Sequence, residues 1–280
     1  MTLRRQSIIL ALAILTSIAS ALVSTRVWAD DAEDCVTLSG DVGIAACTRV
    51  IESGRWQGAD LVWAYNNRGN AKRGKGDLDG ALADYTRALE LNPQDAKAYN
   101  NRGNAKQDKG DLDGALADYT RALELNPKHA SAYYNRGVAR FVKGEMAAAA
   151  ADFARAQELK ANAYAVLWLY LARTRSGADG NNELTVNAAS LDTAQWPAPV
   201  LALYLGKGTP QSLLTAATHP DPKIQSEQRC EAHFYLAEWH LLKNKKTEAV
   251  PLLRVAADQC PKGSLERAGA VYELKRLGRR

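Results

Sequence analysis

Two hydrophobic patterns divide the chain. Near the N-terminus one apolar stretch runs from Ile8 to about Val23, broken only by the small hydroxyls of Thr16, Ser17 and Ser20. Beyond it, apolar and small residues return at helical spacing and are parted by short polar turns, which predicts helices and no sheet. Asp41–Glu52 reads as one helix, and residues 62–163 as three helical hairpins. Tyr164–Arg175 predicts a further helix whose partner is lost in a looser segment, and Trp196-Pro197-Ala198-Pro199 marks the clearest break. After it, Val200–Leu205 and Gln211–Ala217 predict short helices. Cys230–Leu242 and Lys246–Cys260 predict a hairpin that Cys230 opens and Cys260 closes, followed by a last helix over Leu265–Leu277.

The centre is a repeat. Residues 65–98 and 99–132 are identical at 29 of 34 positions, and a diverged third copy starts at Tyr133. A helical aromatic recurs as Tyr65, Tyr99 and Tyr133. A glycine follows as Gly69, Gly103 and Gly137, and a turn glycine as Gly76, Gly110 and Gly144. In the second helix the small contacts are Ala81 and Ala88, Ala115 and Ala122, Ala149 and Ala156, with Tyr85, Tyr119 and Phe153 as the large ring. Asp77 and Asp111 are placed to cap that helix, and Pro93 and Pro127 to end it, with Ala161 in the third copy. This 34-residue pattern resembles the tetratricopeptide repeat (TPR). The resemblance implies an all-α superhelix of stacked antiparallel hairpins, because one hairpin alone cannot bury its apolar face. It gives three repeats, 62–95, 96–129 and 130–163, between a degenerate helical repeat at 30–61 and a degenerate TPR-like region at 164–280.

In such a stack the first helix of each hairpin lines the concave side, and positions 2, 5, 9 and 12 of each repeat share one face. These are Trp63, Asn66, Asn70 and Arg73 in the first copy, then Lys97, Asn100, Asn104 and Gln107. In the third they are Ser131, Tyr134, Val138 and Phe141. The expectation is a peptide-binding groove with an amide-rich floor, since an amide both donates and accepts, running to an apolar anchor patch at Tyr134, Val138 and Phe141. Asn66, Asn70, Arg73 and Lys97 partly resemble the carboxylate grip of some TPR domains. A competing reading leaves Asn70 and Asn104 satisfying polar groups between helices. Arg68, Arg102 and Arg136, with Lys72, Lys106 and Arg140, recur in register with Asp84, Asp118 and Asp152, which predicts structural ion pairs in preference to a basic stripe.

Composition narrows the class. At 280 residues, 46% hydrophobic and 24% charged, the chain is long enough for two domains or an elongated array and is not disordered. Abundant Ala against three Phe and two Met favours close helix packing. Arg4 and Arg5, the short apolar run and Val27-Trp28-Ala29 form a signal-peptide pattern for residues 1–29. The run of about 16 residues is short for a membrane span of roughly 20. Loss of that segment would lower the formal charge from +5 to +2, too little to argue for nucleic acid. The expected product is periplasmic or secreted and soluble, without a stable membrane anchor. In an oxidising compartment the four cysteines favour disulfides. Pairing Cys35 with Cys47 and Cys230 with Cys260 is the simplest of three connectivities, and the predicted hairpin favours the second pair.

Nothing in the sequence supports catalysis, a cofactor or a metal. His129, His219, His233 and His240 fall in no HExxH spacing, and no P-loop, GxGxxG or GxSxG occurs. The LYLGKGTP segment and the hairpin from Cys230 to Pro261 resemble the C-terminal part of bacterial NlpI-like TPR proteins, though without a lipoprotein cysteine. That resemblance implies an envelope adaptor that binds other proteins or peptides. The expected function is therefore a non-enzymatic scaffold in envelope assembly or proteolysis. A self-assembling component and an enzyme with an unrecognised site remain as alternatives, and oligomeric state is open.

Overall fold

The computed structural model describes residues 31–191, 195–261 and 263–279. The signal-peptide pattern at residues 1–29 lies outside the described residues. Every regular element among the described residues is a helix, and no described helix is long and apolar enough to cross a membrane. The chain divides into two compact units, one up to Arg102 and one from Gly103 onward.

In the first unit residues 31–37 are helical. They are followed by α1 (Gly40–Glu52), a 3-10 turn (Gly58–Leu61), α2 (Val62–Gly74), α3 (Leu78–Leu91) and the start of α4 (Ala96–Asp108). Cys35 and Cys47 form a disulfide with Cα atoms 4.6 Å apart, fastening the first helical segment to α1. The α2–α3 hairpin closes over Gly69: a Cβ there would lie 2.6 Å from the Tyr85 ring, so only hydrogen allows the two helices this approach. Gly76 turns the chain with φ of 84°, and the Asp77 carboxylate then accepts from the Gly80 N–H at 3.0 Å, capping α3. The buried Asp84 carboxylate accepts two hydrogen bonds from Arg68, at 2.9 and 2.7 Å, and pairs with Lys72 at 2.8 Å. Arg68 also donates to the Thr48 hydroxyl of α1 at 3.1 Å, joining hairpin and neighbour.

The second unit holds the rest of α4 and α5 (Leu112–Leu125), then the hairpin of α6 (Ala130–Val142) and α7 (Met146–Leu159). It continues with α8 (Ala163–Arg175), α9 (Asn181–Ala189), α10 (Ala198–Tyr204), α11 (Pro210–Ala216), α12 (Pro222–Leu242), α13 (Lys246–Gln259) and α14 (Leu265–Arg276). The glycine–ring contact recurs: a Cβ at Gly103 would lie 2.6 Å from Tyr119, and one at Gly137 2.8 Å from Phe153. Asp152 binds Arg136 and Arg140, and Asp118 pairs with Lys106, so the in-register charges serve structure. Two expectations change here. The helix over 163–175 keeps a partner, the short α9 packed on it. Cys230 does not open its helix, because Asp221 and Pro222 start α12 earlier, with Asp221 accepting from the Lys223 and Ile224 N–H groups. The α13 helix runs back along the latter part of α12, so Cys260, at the end of α13, still meets Cys230, with Cα atoms 5.1 Å apart.

Trp168 centres the core of this unit, with Phe141, Phe153, Phe234 and Tyr235 around it. Several acids of this unit are buried or half-buried. Arg175 bridges Glu238 of α12 and Glu273 of α14, while Glu231 accepts from Trp196 Nε1 at 2.7 Å and from the Tyr164 hydroxyl at 2.9 Å. Burial, with Glu231 nearby, raises the pKa of Glu266 from 4.5 to about 7.

Substituting Gly69 or Gly137 with Ala should destabilise the protein by about 1–3 kcal/mol in urea unfolding, through overpacking against the ring. Gly74→Ala, with nothing within 4 Å of the added carbon, should instead gain up to about 1 kcal/mol. Alkylation of the unreduced protein should modify none of its four cysteines, and mass spectrometry finding modified thiols would contradict the two disulfides. Because folded Glu266 holds its proton at higher pH than the unfolded chain, its contribution is full below pH 4.5 and fades as pH rises through about 7. Calorimetry should find the wild type losing on the order of 1–3 kcal/mol across that window, and Glu266→Gln losing less.

Candidate functional site

In the first unit the candidate site begins with the exposed side of α2. The chain between α1 and α2 carries Trp56 and the 3-10 turn past the start of α2, and α4 begins on the far side of the same space. The result is an open cleft of about 570 Å3 lined by Trp56, Asp60, Trp63, Asn66, Asn67, Asp95 and Lys97, with Ala59 and Val62. Trp56 and Trp63 meet edge to face, with ring centroids 6.0 Å apart, and Arg55 lies over the Trp56 ring at 5.4 Å.

Asp95 organises the floor. One of its oxygens accepts from the Lys97 and Ala98 N–H groups at 2.9 and 3.1 Å, which starts α4. The other accepts from Asn66 Nδ2 at 3.0 Å. A carboxylate only accepts, so this bond fixes the amide with its NH2 toward Asp95 and its oxygen turned away. Asn66 is 3% exposed, and its Oδ1 has no partner. A buried acceptor without a donor is costly, on the order of 1–3 kcal/mol, unless something supplies one.

The structure sorts the predicted groove residues into four groups. Trp63, Asn66 and Lys97 line the open cleft. Asn70 and Asn104 lie on the expected face, but each accepts from the ring hydroxyl of its own hairpin, Tyr85 and Tyr119, at 2.8 Å; Gln107 also accepts from Tyr119, at 3.3 Å. These amides work between helices. Asn100 is buried, with its Nδ2 toward Asn101 Oδ1 at 3.5 Å, and Arg73 is half-buried. The last group corrects the expected anchor patch. Val138 and Phe141 are 0% exposed, and Tyr134 is half-buried against Phe153, with burial raising its hydroxyl pKa. The reason is α14, which packs against α6 and brings Tyr272 to 6.2 Å from Phe141, while Arg175 covers the other side of that ring at 5.3 Å. The protein's own last helix therefore occupies the face on which a ligand was expected.

Of the expected carboxylate grip, Asn66 turns an N–H to Asp95, whereas Asn70 accepts from Tyr85 through its oxygen and keeps its own N–H groups. Sequence reasoning missed Trp56, Asp60, Asn67 and Asp95. A signal for one was present: among the five positions at which the first two copies differ, Asp95 stands against His129 and Lys97 against Ser131. His129 caps α6, its Nδ1 accepting from the Ala132 N–H at 3.3 Å. Among the described residues, no group of three or more His, Cys, Asp or Glu could hold a metal ion.

A family profile described as TPR repeat matches residues 69–110 and 103–144. No curated protein matches the sequence. A tetratricopeptide repeat protein from Parabacteroides merdae is similar in structure at 18% identity, covering 91% of this chain and 98% of that one with a TM-score of 0.53, a likeness of fold alone. Looser likenesses are the first TPR of Spaghetti (RPAP3) bound to an HSP90 peptide and YrrB, a TPR protein with an unusual peptide-binding site. The first has 26% identity, covers 43% of this chain and 96% of that one, and has a TM-score of 0.42. The second has 20% identity, covers 83% and 99%, and has a TM-score of 0.44. The repeated hairpins and the family match over their glycines and rings show that residues 69–144 are tetratricopeptide repeats.

Proposed function

We propose that the chain is an exported, non-catalytic scaffold that holds an extended segment of a partner protein in the cleft beside Asn66. TPR hairpins act as protein-interaction surfaces, and the observation that carries the reading is the open cleft on α2, lined by Trp56, Trp63, Asn66 and Asn67 with Asp60, Asp95 and Lys97. An extended backbone offers N–H and C=O groups at regular spacing, which suits a lining of amides and charges. Export is supported by the basic and apolar start of the sequence and by two disulfides, which persist in oxidising compartments. Work in envelope assembly or proteolysis, as in the NlpI-like proteins that the sequence resembles, is part of the same reading. The acids of the second unit fit a structural role, since Arg175 engages the buried Glu238 and Glu273, and Trp196 and Tyr164 engage the half-buried Glu231.

The alternative, a self-assembling component, draws on Val36, Leu38 and Val42, exposed apolar side chains close together in sequence in the first unit. Light scattering of the mature chain separates the two, with a monomer supporting the adaptor and a defined oligomer the assembly. For the adaptor, peptides selected from a random display library on the full chain should bind Trp63→Ala at least about tenfold more weakly, the scale of one lost aromatic contact. Val186→Ala, on an exposed side chain of α9, should bind them unchanged. Equal binding to both variants would sink the cleft as the partner site.

A further inference from the structure

We propose that α14 is a pH-released cover: it closes the α6 face at low pH and lets go as pH rises, while α12 and α13 stay folded. The inference goes beyond the adaptor reading and does not use the cleft beside Asn66. It starts from what α14 buries. Its buried residues are Glu266, Gly269, Ala270, Glu273 and Leu274: two carboxylates, two of the smallest residues and one leucine. Such a face removes little apolar area from water, so hydrophobic burial holds it weakly. Close approach takes the place of bulk, since a Cβ at Gly269 would lie 2.7 Å from the Phe234 ring and 3.1 Å from Trp168. The Cys230–Cys260 disulfide ties α13 to α12, and α14 begins beyond it, at Leu265. A helix of 12 residues is marginal in water by itself, so release and melting of α14 go together.

The charges under α14 set when it leaves. Glu266 accepts from the Tyr235 hydroxyl of α12 at a long 3.4 Å. Also facing it are the Glu231 carboxylate of α12, Tyr134 of α6 and Tyr164 of α8. None of these groups is a cation. Further along α14, Glu273 shares Arg175 of α8 with Glu238 of α12, and accepts from Arg276 of its own helix at 2.9 and 2.6 Å. Tyr204 of α10 faces Glu238. The buried residues of α13 are Ala249, Leu253, Ala256 and Ala257, none of which titrates. Burial raises the pKa of Glu266 from 4.5 to about 7, and shifts Glu238 in the same direction. On release Glu266 meets water and returns to its ordinary range. The docked helix thus holds a proton that the released one gives up. Docking is favoured in full below pH 4.5 and loses ground as pH rises through about 7.

The test is hydrogen exchange of the full chain, read by mass spectrometry at about pH 5.5 and about pH 8.5 and corrected for the intrinsic rate at each pH. Peptides from α14 should lose about tenfold or more of their protection between the two. At the higher pH they should be at least about tenfold less protected than peptides from α13, which marks a local opening. Glu266→Gln keeps the shape and neutrality of the protonated acid, and should cut the loss in α14 to about threefold or less. Equal protection of α14 and α13 would mean that α14 leaves only when the whole unit unfolds, and would overturn the proposal. So would protection of α14 that does not fall with pH, or a fall that Glu266→Gln leaves undiminished.

Discussion

The contact of a glycine with an aromatic ring inside each hairpin governs what the repeats can do. At Gly69, Gly103 and Gly137 the first helix has no side chain where the ring of Tyr85, Tyr119 or Phe153 comes against it. The ring is fixed by that approach, and so is its far edge. In the first two hairpins the edge is a hydroxyl that donates to Asn70 or Asn104. A packing constraint inside the hairpin thus determines which amides on the outer face are already engaged. In the third hairpin the ring is Phe153 and the residue in place of the asparagine is Val138. Both polar partners are lost together, and that face goes under α14.

A second constraint comes from buried charge. Asp84 and Asp152 lie in the interior and are tolerable only because paired cations reach them along the first helix. Arg68 and Arg136 extend the same network to the preceding helix through Thr48 and Thr120. Lateral position between neighbours is therefore specified by directional bonds as well as by shape. In the second unit Arg175 plays the corresponding part for Glu238 and Glu273, tying α8, α12 and α14 around the face that α14 covers.

The open cleft beside Asn66 belongs to the first unit. Its upstream neighbour is the degenerate α1 segment, and the connection from α1 to α2 carries Trp56 and Asp60 beside the start of α2. Asp95 has two duties there. It starts α4 and it orients Asn66, so a local helix signal and a cleft-lining group are the same carboxylate.

The sequence by itself determined the hairpins, their recurring glycines and rings, the in-register pairing of arginine with aspartate, the caps at Asp77 and Asp111, and a favoured disulfide pairing. All of these rest on local spacing or on exact repetition, which a linear string displays directly. It also contained the paired change from Tyr and Asn to Phe and Val in the third copy, but an apolar helix face looks the same whether it awaits a ligand or a helix from the same chain. Only the tertiary structure decided between those, because α14 arrives from more than 120 residues further along. The cleft likewise depended on tertiary structure. Trp56, Asn66 and Asp95 belong to three elements with no common period, and the direction of the Asn66 amide is set by a carboxylate 29 residues away.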